Sequence, residues 1–149
     1  MASRFAHVNL VARDWRKLAA FYERLFGCSP VPPERDLRGP WLERATGLAG
    51  ANIQGMHLLL PGGGENGPTL EIFQYLPEGR TTEKAVNRPG FGHIAFAVED
   101  VGAAREAVLA AGGAEVGSLT TVSVAGVGTI TFVYLTDPEG NILELQRWG

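Results

Sequence analysis

Apolar and polar residues alternate along this chain with two periods, and the two periods succeed each other twice. Residues 5–12 are rich in apolar and β-branched side chains and predict a strand. Asp14 then stands where a helix N-cap belongs. Beyond it Leu18, Phe21, Tyr22, Leu25 and Phe26 recur at helical spacing, and Gly27 supplies a stop. The same succession returns as a strand over 91–98, a cap at Asp100, a helix over 101–111 and a stop at Gly112-Gly113. Val101, Ala104, Ala107, Val108 and Ala111 form the second helix's apolar face.

Strands follow each helix. In the first half they are expected over 52–60 and 69–75, after a Pro- and Arg-containing insertion at 30–50 with a short helix around 41–45. In the second half they are expected over 114–118, 121–125, 129–135 and 142–148. Asp137-Pro138-Glu139-Gly140-Asn141 is a turn signal before the last strand, and Pro61-Gly62-Gly63-Gly64 is its first-half counterpart. A polar connector over 76–89 separates the halves. The expected organisation is α+β: one domain over 1–149, made of two modules at 5–76 and 90–149. Each reads strand, helix, then about three strands.

The halves also repeat in sequence. His7 to Asp14 lies over His93 to Asp100 without a gap, an offset of 93 − 7 = 86 that carries Gly27 onto Gly113. Residues 69–75 match 142–148 at an offset of 144 − 71 = 73. Each copy thus opens on a histidine and closes on a glutamate. Strand side chains alternate between faces. With Val8, Leu10, Leu70, Ile72, Ile94, Phe96, Leu143 and Leu145 turned to the helices, the opposite face receives His7, Glu71, His93 and Glu144. Phe5, Asn9, Phe73, Tyr75, Gln146 and Trp148 share that face and predict a pocket lining.

Composition narrows the function classes. At 149 residues, 45% hydrophobic and 19% charged, this is one ordinary globular domain's worth of chain. A net charge of −3 provides no basic field for nucleic acid. The one cysteine, Cys28, excludes an intrachain disulfide and fits a reducing compartment. Neither a leader nor a membrane-spanning stretch is evident, so a cytoplasmic protein is expected.

Imidazole and carboxylate together suit a divalent zinc, nickel, cobalt, manganese or iron ion. A six-coordinate ion held by His7, Glu71, His93 and Glu144 would keep two positions for water or substrate. Such a site can polarise a carbonyl while a carboxylate moves the adjacent proton. His57 has no histidine counterpart in the second copy and reads as a pocket residue rather than a ligand. Arg80, Lys84 and Arg88 read as a solvated linker, with docking of an anionic group as the alternative.

From Phe5 to Trp148 the chain resembles the vicinal oxygen chelate superfamily, the glyoxalase, bleomycin-resistance and dioxygenase group. The resemblance is clearest in residues 91–101, Phe-Gly-His-Ile-Ala-Phe-Ala-Val-Glu-Asp-Val, and 137–145, Asp-Pro-Glu-Gly-Asn-Ile-Leu-Glu-Leu. It implies two tandem βαβββ modules forming a curved mixed sheet around a metal cleft. His7, Glu71, His93 and Glu144 match in order the His-Glu-His-Glu set of lactoylglutathione lyase-like members, where a ligand carboxylate is also the base; here that points to Glu144 or Glu71. Methylmalonyl-CoA epimerase-like members look alike but usually carry Gln where this chain has Glu71. The implied function is a metal-dependent glyoxalase-type isomerase or lyase, with proton transfer next to a carbonyl through an enediolate. The alternatives are a CoA-thioester epimerase and a non-enzymatic drug-binding protein of the bleomycin-resistance kind. A thiol transferase or a ring-cleaving dioxygenase would have one carboxylate too many. The implied partners are a small-molecule substrate, such as a thiol conjugate or thioester, and a second copy in a homodimer. Whether the four ligands meet within one chain or across the dimer stays open.

Overall fold

The computed structural model describes residues 3–149. The chain divides into two compact units, Met1–Thr81 and Thr82–Gly149.

The first unit runs β1 (His7–Val11), α1 (Trp15–Phe26), β2 (Ser29–Arg38), α2 (Pro40–Thr46), β3 (Asn52–Leu59) and β4 (Thr69–Leu76). Its sheet has the order β1-β4-β3-β2, with β1 parallel to β4 and the other pairs antiparallel. The α1 helix begins as its sequence dictates: the Asp14 carboxylate accepts the Lys17 backbone N–H at 3.1 Å. It ends at Gly27, whose φ of 65° lies in the left-handed region that suits glycine. Leu18, Phe21 and Tyr22 bury the helix stripe, and α1 packs on β3 and β4. Leu10, Leu58, Leu70 and Ile72 supply the sheet side of this core, as parity predicts.

The stretch 30–50 is more than an insertion. Its first part is the strand β2, which completes the βαβββ succession, and the short helix α2 follows. Pro30, Pro32 and Pro33 hide β2 from a propensity reading, because proline cannot donate to a ladder. Prolines are tolerated here because β2 is the edge strand and its register shifts between Val31 and Arg35.

The second unit runs β5 (Ile94–Ala97), α3 (Val101–Ala110), β6 (Ala114–Glu115), β7 (Thr120–Val124), β8 (Gly128–Thr136) and β9 (Ile142–Trp148). β5 is parallel to β9, β8 is antiparallel to β9, and β6 and β7 pair with successive stretches of β8. Together β6 and β7 occupy the place of one strand, so this unit is also βαβββ. Asp100 caps α3 by accepting the Ala103 N–H at 2.9 Å. Val133, Leu135, Leu143 and Leu145 are fully buried, with Phe96, Val101 and Val108 nearly so. Asp137, 1% exposed, closes the β8–β9 turn by accepting the backbone N–H groups of Glu139 and Asn141 and the Asn141 amide.

The repeat seen in the sequence is therefore a repeat of register. Asn9 is the partner of Glu71 on the parallel pair β1–β4, and Ala95 is the partner of Glu144 on β5–β9. Each histidine stands two residues ahead of the residue paired with its unit's glutamate. No helix among the described residues is long and apolar enough to cross a membrane.

Candidate functional site

Parallel pairing of the first and last strand of each unit brings a histidine beside a glutamate. In the first unit His7 Nδ1 lies 3.4 Å from Glu71 Oε1. In the second, His93 Nε2 lies 3.0 Å from Glu144 Oε2. The carboxylate side chains are 11% and 12% exposed, the imidazoles 49% and 36%. Each unit thus sinks an acidic group into its sheet and leaves a ring at the surface. Burying a carboxylate is costly without a positive or hydrogen-bonding partner.

The partners come from the strand hairpinned to the one carrying each glutamate and, in the first unit, also from β1. β3 pairs His57 with Glu71, and His57 Nε2 lies 3.4 Å from the carboxylate oxygen that His7 also approaches. The Asn9 amide donates to the other oxygen at 3.4 Å. Burial holds His57 below the ordinary imidazole pKa, against the opposing pull of Glu71, with Arg35 and His7 adding to the lowering. His57 is therefore neutral at neutral pH. In the second unit β8 places Tyr134 directly across from Glu144. Burial raises the Tyr134 pKa, and the neighbouring Glu144 carboxylate raises it further, so the phenol stays protonated and available as a donor. Its ring meets His93 edge-on at 5.2 Å, with Phe132 behind it at 5.8 Å.

Tyr134 escapes a motif reading because it is not a ligand type that repeats. The signal lies in hairpin symmetry. Tyr134 stands five residues before Glu139, the centre of the 137–141 turn, and Glu144 stands five after it. His57 and Glu71 are likewise seven residues either side of Gly64. His57 and Tyr134 thus occupy matching places, although no gapless alignment superimposes them.

The remaining lining residues are placed unevenly. Asn9 touches Glu71, and Phe5 is exposed ahead of β1. Gln146 accepts from the half-exposed Trp148 indole at 3.3 Å. Phe73 and Tyr75 share the Glu71 face, but α2 covers them: Phe73 packs in a cluster with Leu42, Ala51 and Ile53, and Tyr75 packs against it. Of the basic connector residues, Lys84 donates to the Glu139 carbonyl at 3.0 Å and to Asn141 Oδ1 at 2.6 Å, and Arg88 donates to Thr82. Those two serve local structure.

Among the described residues, no three His, Cys, Asp or Glu side chains are gathered into a metal-holding group. The elements of such a site are the two pairs. Each offers one imidazole and one mostly buried carboxylate, a donor set whose chemistry fits a divalent first-row metal ion.

Comparison with known proteins agrees with this architecture. The family model described as Glyoxalase/Bleomycin resistance protein/Dioxygenase superfamily matches residues 4–145, the group that the motifs resemble. A glyoxalase family protein from Bacillus cereus is 20% identical and superposes with a TM-score of 0.80, over 98% of this chain and 94% of its own. A glyoxylase/bleomycin resistance protein/dioxygenase domain from Frankia sp. is 21% identical, with full coverage of both chains and a TM-score of 0.63. The fosfomycin resistance protein FosX from Listeria monocytogenes, in complex with Mn(II) and sulfate, is 16% identical over 100% of this chain and 95% of its own, with a TM-score of 0.56. At these identities the likeness is one of fold. No curated protein matches the chain.

Proposed function

We propose, from the premise that this chain belongs to the Glyoxalase/Bleomycin resistance protein/Dioxygenase superfamily, that it is a divalent-metal-dependent isomerase or lyase of the glyoxalase type. One observation carries the reading: the same diagonal pairing of an imidazole with a mostly buried carboxylate occurs once in each unit. A structural histidine or a solvated glutamate gives no reason for such a coincidence.

His7, Glu71, His93 and Glu144 would hold the ion, contributed by one chain or by two copies in a homodimer. When bound, the ion supplies polarisation of a substrate carbonyl oxygen, which acidifies the neighbouring C–H. Glu144 or Glu71 accepts that proton and returns it to carbon. Burial of both carboxylates keeps bulk water from competing for their lone pairs. The substrate class is a small carbonyl compound, such as a thiol conjugate or a thioester; a CoA-thioester epimerase would use the same proton transfer. The Mn(II) complex of the Listeria protein supports a metal in this fold and makes Mn(II) a suitable probe.

The test has two parts. Purified protein should carry a divalent metal by elemental analysis, and His93→Ala should lose it together with turnover. Metal-loaded protein in deuterated water should place deuterium on the carbon next to the carbonyl of a hemithioacetal or an acyl-CoA, read by proton NMR. Full metal content in His93→Ala would sink the ligand assignment. Metal without deuterium incorporation in either substrate class would sink the reaction. A metal-free protein that binds aromatic drugs would instead be the sequestering member of the superfamily.

A further inference from the structure

His57 and Tyr134 differ in chemistry and coincide in position, and that coincidence assigns them a role. Each sits on the first strand of a hairpin whose second strand carries its unit's glutamate, directly across from that glutamate. Each also contacts more than that glutamate. The Tyr134 ring packs edge-on against His93 at 5.2 Å, so one residue is against the imidazole and across from the glutamate of the second unit. His57 lies against Glu71 and meets the Phe73 ring edge-on at 5.5 Å.

We propose that Tyr134 is the positioning residue for the His93–Glu144 pair, and that His57 does the same for Glu71. The inference rests on the metal-site reading given above. Tyr134 stands across from Glu144 and against His93, so its phenol O–H can donate to the carboxylate that His93 approaches at 3.0 Å, leaving that carboxylate a lone pair for a cation. The ring restricts His93 to one tilt. A carboxylate fixed in this way loses little conformational freedom when it coordinates, and removal of such supporting partners typically weakens metal affinity by about 10–100-fold. In the first unit the tie is an imidazole and an amide, His57 and Asn9; in the second it is one phenol. The duplicated site has therefore kept the place of its support and changed the group that fills it.

The experiment measures Mn(II) affinity of the full chain by equilibrium dialysis, with Ni(II) and Zn(II) in parallel and thermal melting of the metal-free protein alongside. Tyr134→Phe keeps the ring and removes the hydroxyl. It should weaken Mn(II) binding about 10–100-fold while the metal-free melting temperature holds. Tyr134→His places in the second unit the group that the first already uses, and it should recover most of that affinity. Wild-type affinity in Tyr134→Phe overturns the proposal. So does a weakened Tyr134→Phe that also melts early and is not rescued by Tyr134→His, because the role would then be packing. A wild-type protein that takes up none of the three ions sinks the proposed function itself, and this inference with it.

Discussion

Gly55 shows how tightly the surroundings of the site are built. It stands across from Phe73 on β3–β4, and a Cβ there would meet the Ile72 carbonyl oxygen at 2.1 Å and Phe73 Cδ1 at 2.5 Å. The next cross-strand pair on the same face is His57 with Glu71. Gly55→Ala should destabilise the fold by about 1–3 kcal/mol through overpacking, read from urea denaturation; an unchanged midpoint would show that the strands yield. Cys28 gives a pH signature. Burial pushes its thiol up to about 11, so the native protein should resist iodoacetamide at pH 8 and react once unfolded in urea. Because the folded pKa lies above the unfolded one, the folded state holds the proton more tightly. Stability is therefore retained below about pH 9 and declines as pH rises towards about 11. The decline should be smaller in Cys28→Ala. The two histidine–glutamate pairs were legible from the repeat alone, since both residue types recur in sequence. Tyr134 was not, because its relation to Glu144 is one of pairing across a hairpin rather than of type.

Elements were legible where their determinants are local. Asp14 and Asp100 cap helices whose apolar stripes lie within a dozen residues, and both helices stand where cap and period place them. β2 was not legible, because what makes it a strand is its neighbour β3 and not its own proline-rich sequence. The covering of Phe73 by α2 was hidden for the same reason: a seven-residue helix with one buried leucine announces little about what it packs on. Two substitutions separate local from turn-closing roles. Asp100→Ala should cost about 1 kcal/mol, the usual worth of an N-cap. Asp137→Ala should cost about 3 kcal/mol, since it strands buried donors of Glu139 and Asn141. It should also loosen the β8–β9 register on which the Tyr134–Glu144 pairing depends. Chemical denaturation ranks the two, and equal losses would mean that the turn is held by its glycine and proline instead.

For the molecule as a whole, the superfamily could be read from the repeat and the two signature segments, because duplication marks a chain over its entire length. Substrate identity could not, because this scaffold hosts several chemistries. If the metal reading holds, ion binding stabilises the folded chain by mass action. Free metal at a hundred times its dissociation constant adds about 2.7 kcal/mol, a rise of roughly 5–10 °C in melting temperature for a chain of this size. Chelation should reverse it, and a melt indifferent to both metal and chelator would count against any specific site. The α2 helix carries one more consequence. In the first unit, a guest lying along β4 from Glu71 meets the Leu42 wall at Phe73, about 7 Å on. In the second, the run from Glu144 past Gln146 ends at the half-exposed Trp148. If a guest does lie along the first unit in this way, trimming Leu42 to alanine should admit bulkier ones there, read as a broadened ligand range in a thermal-shift panel.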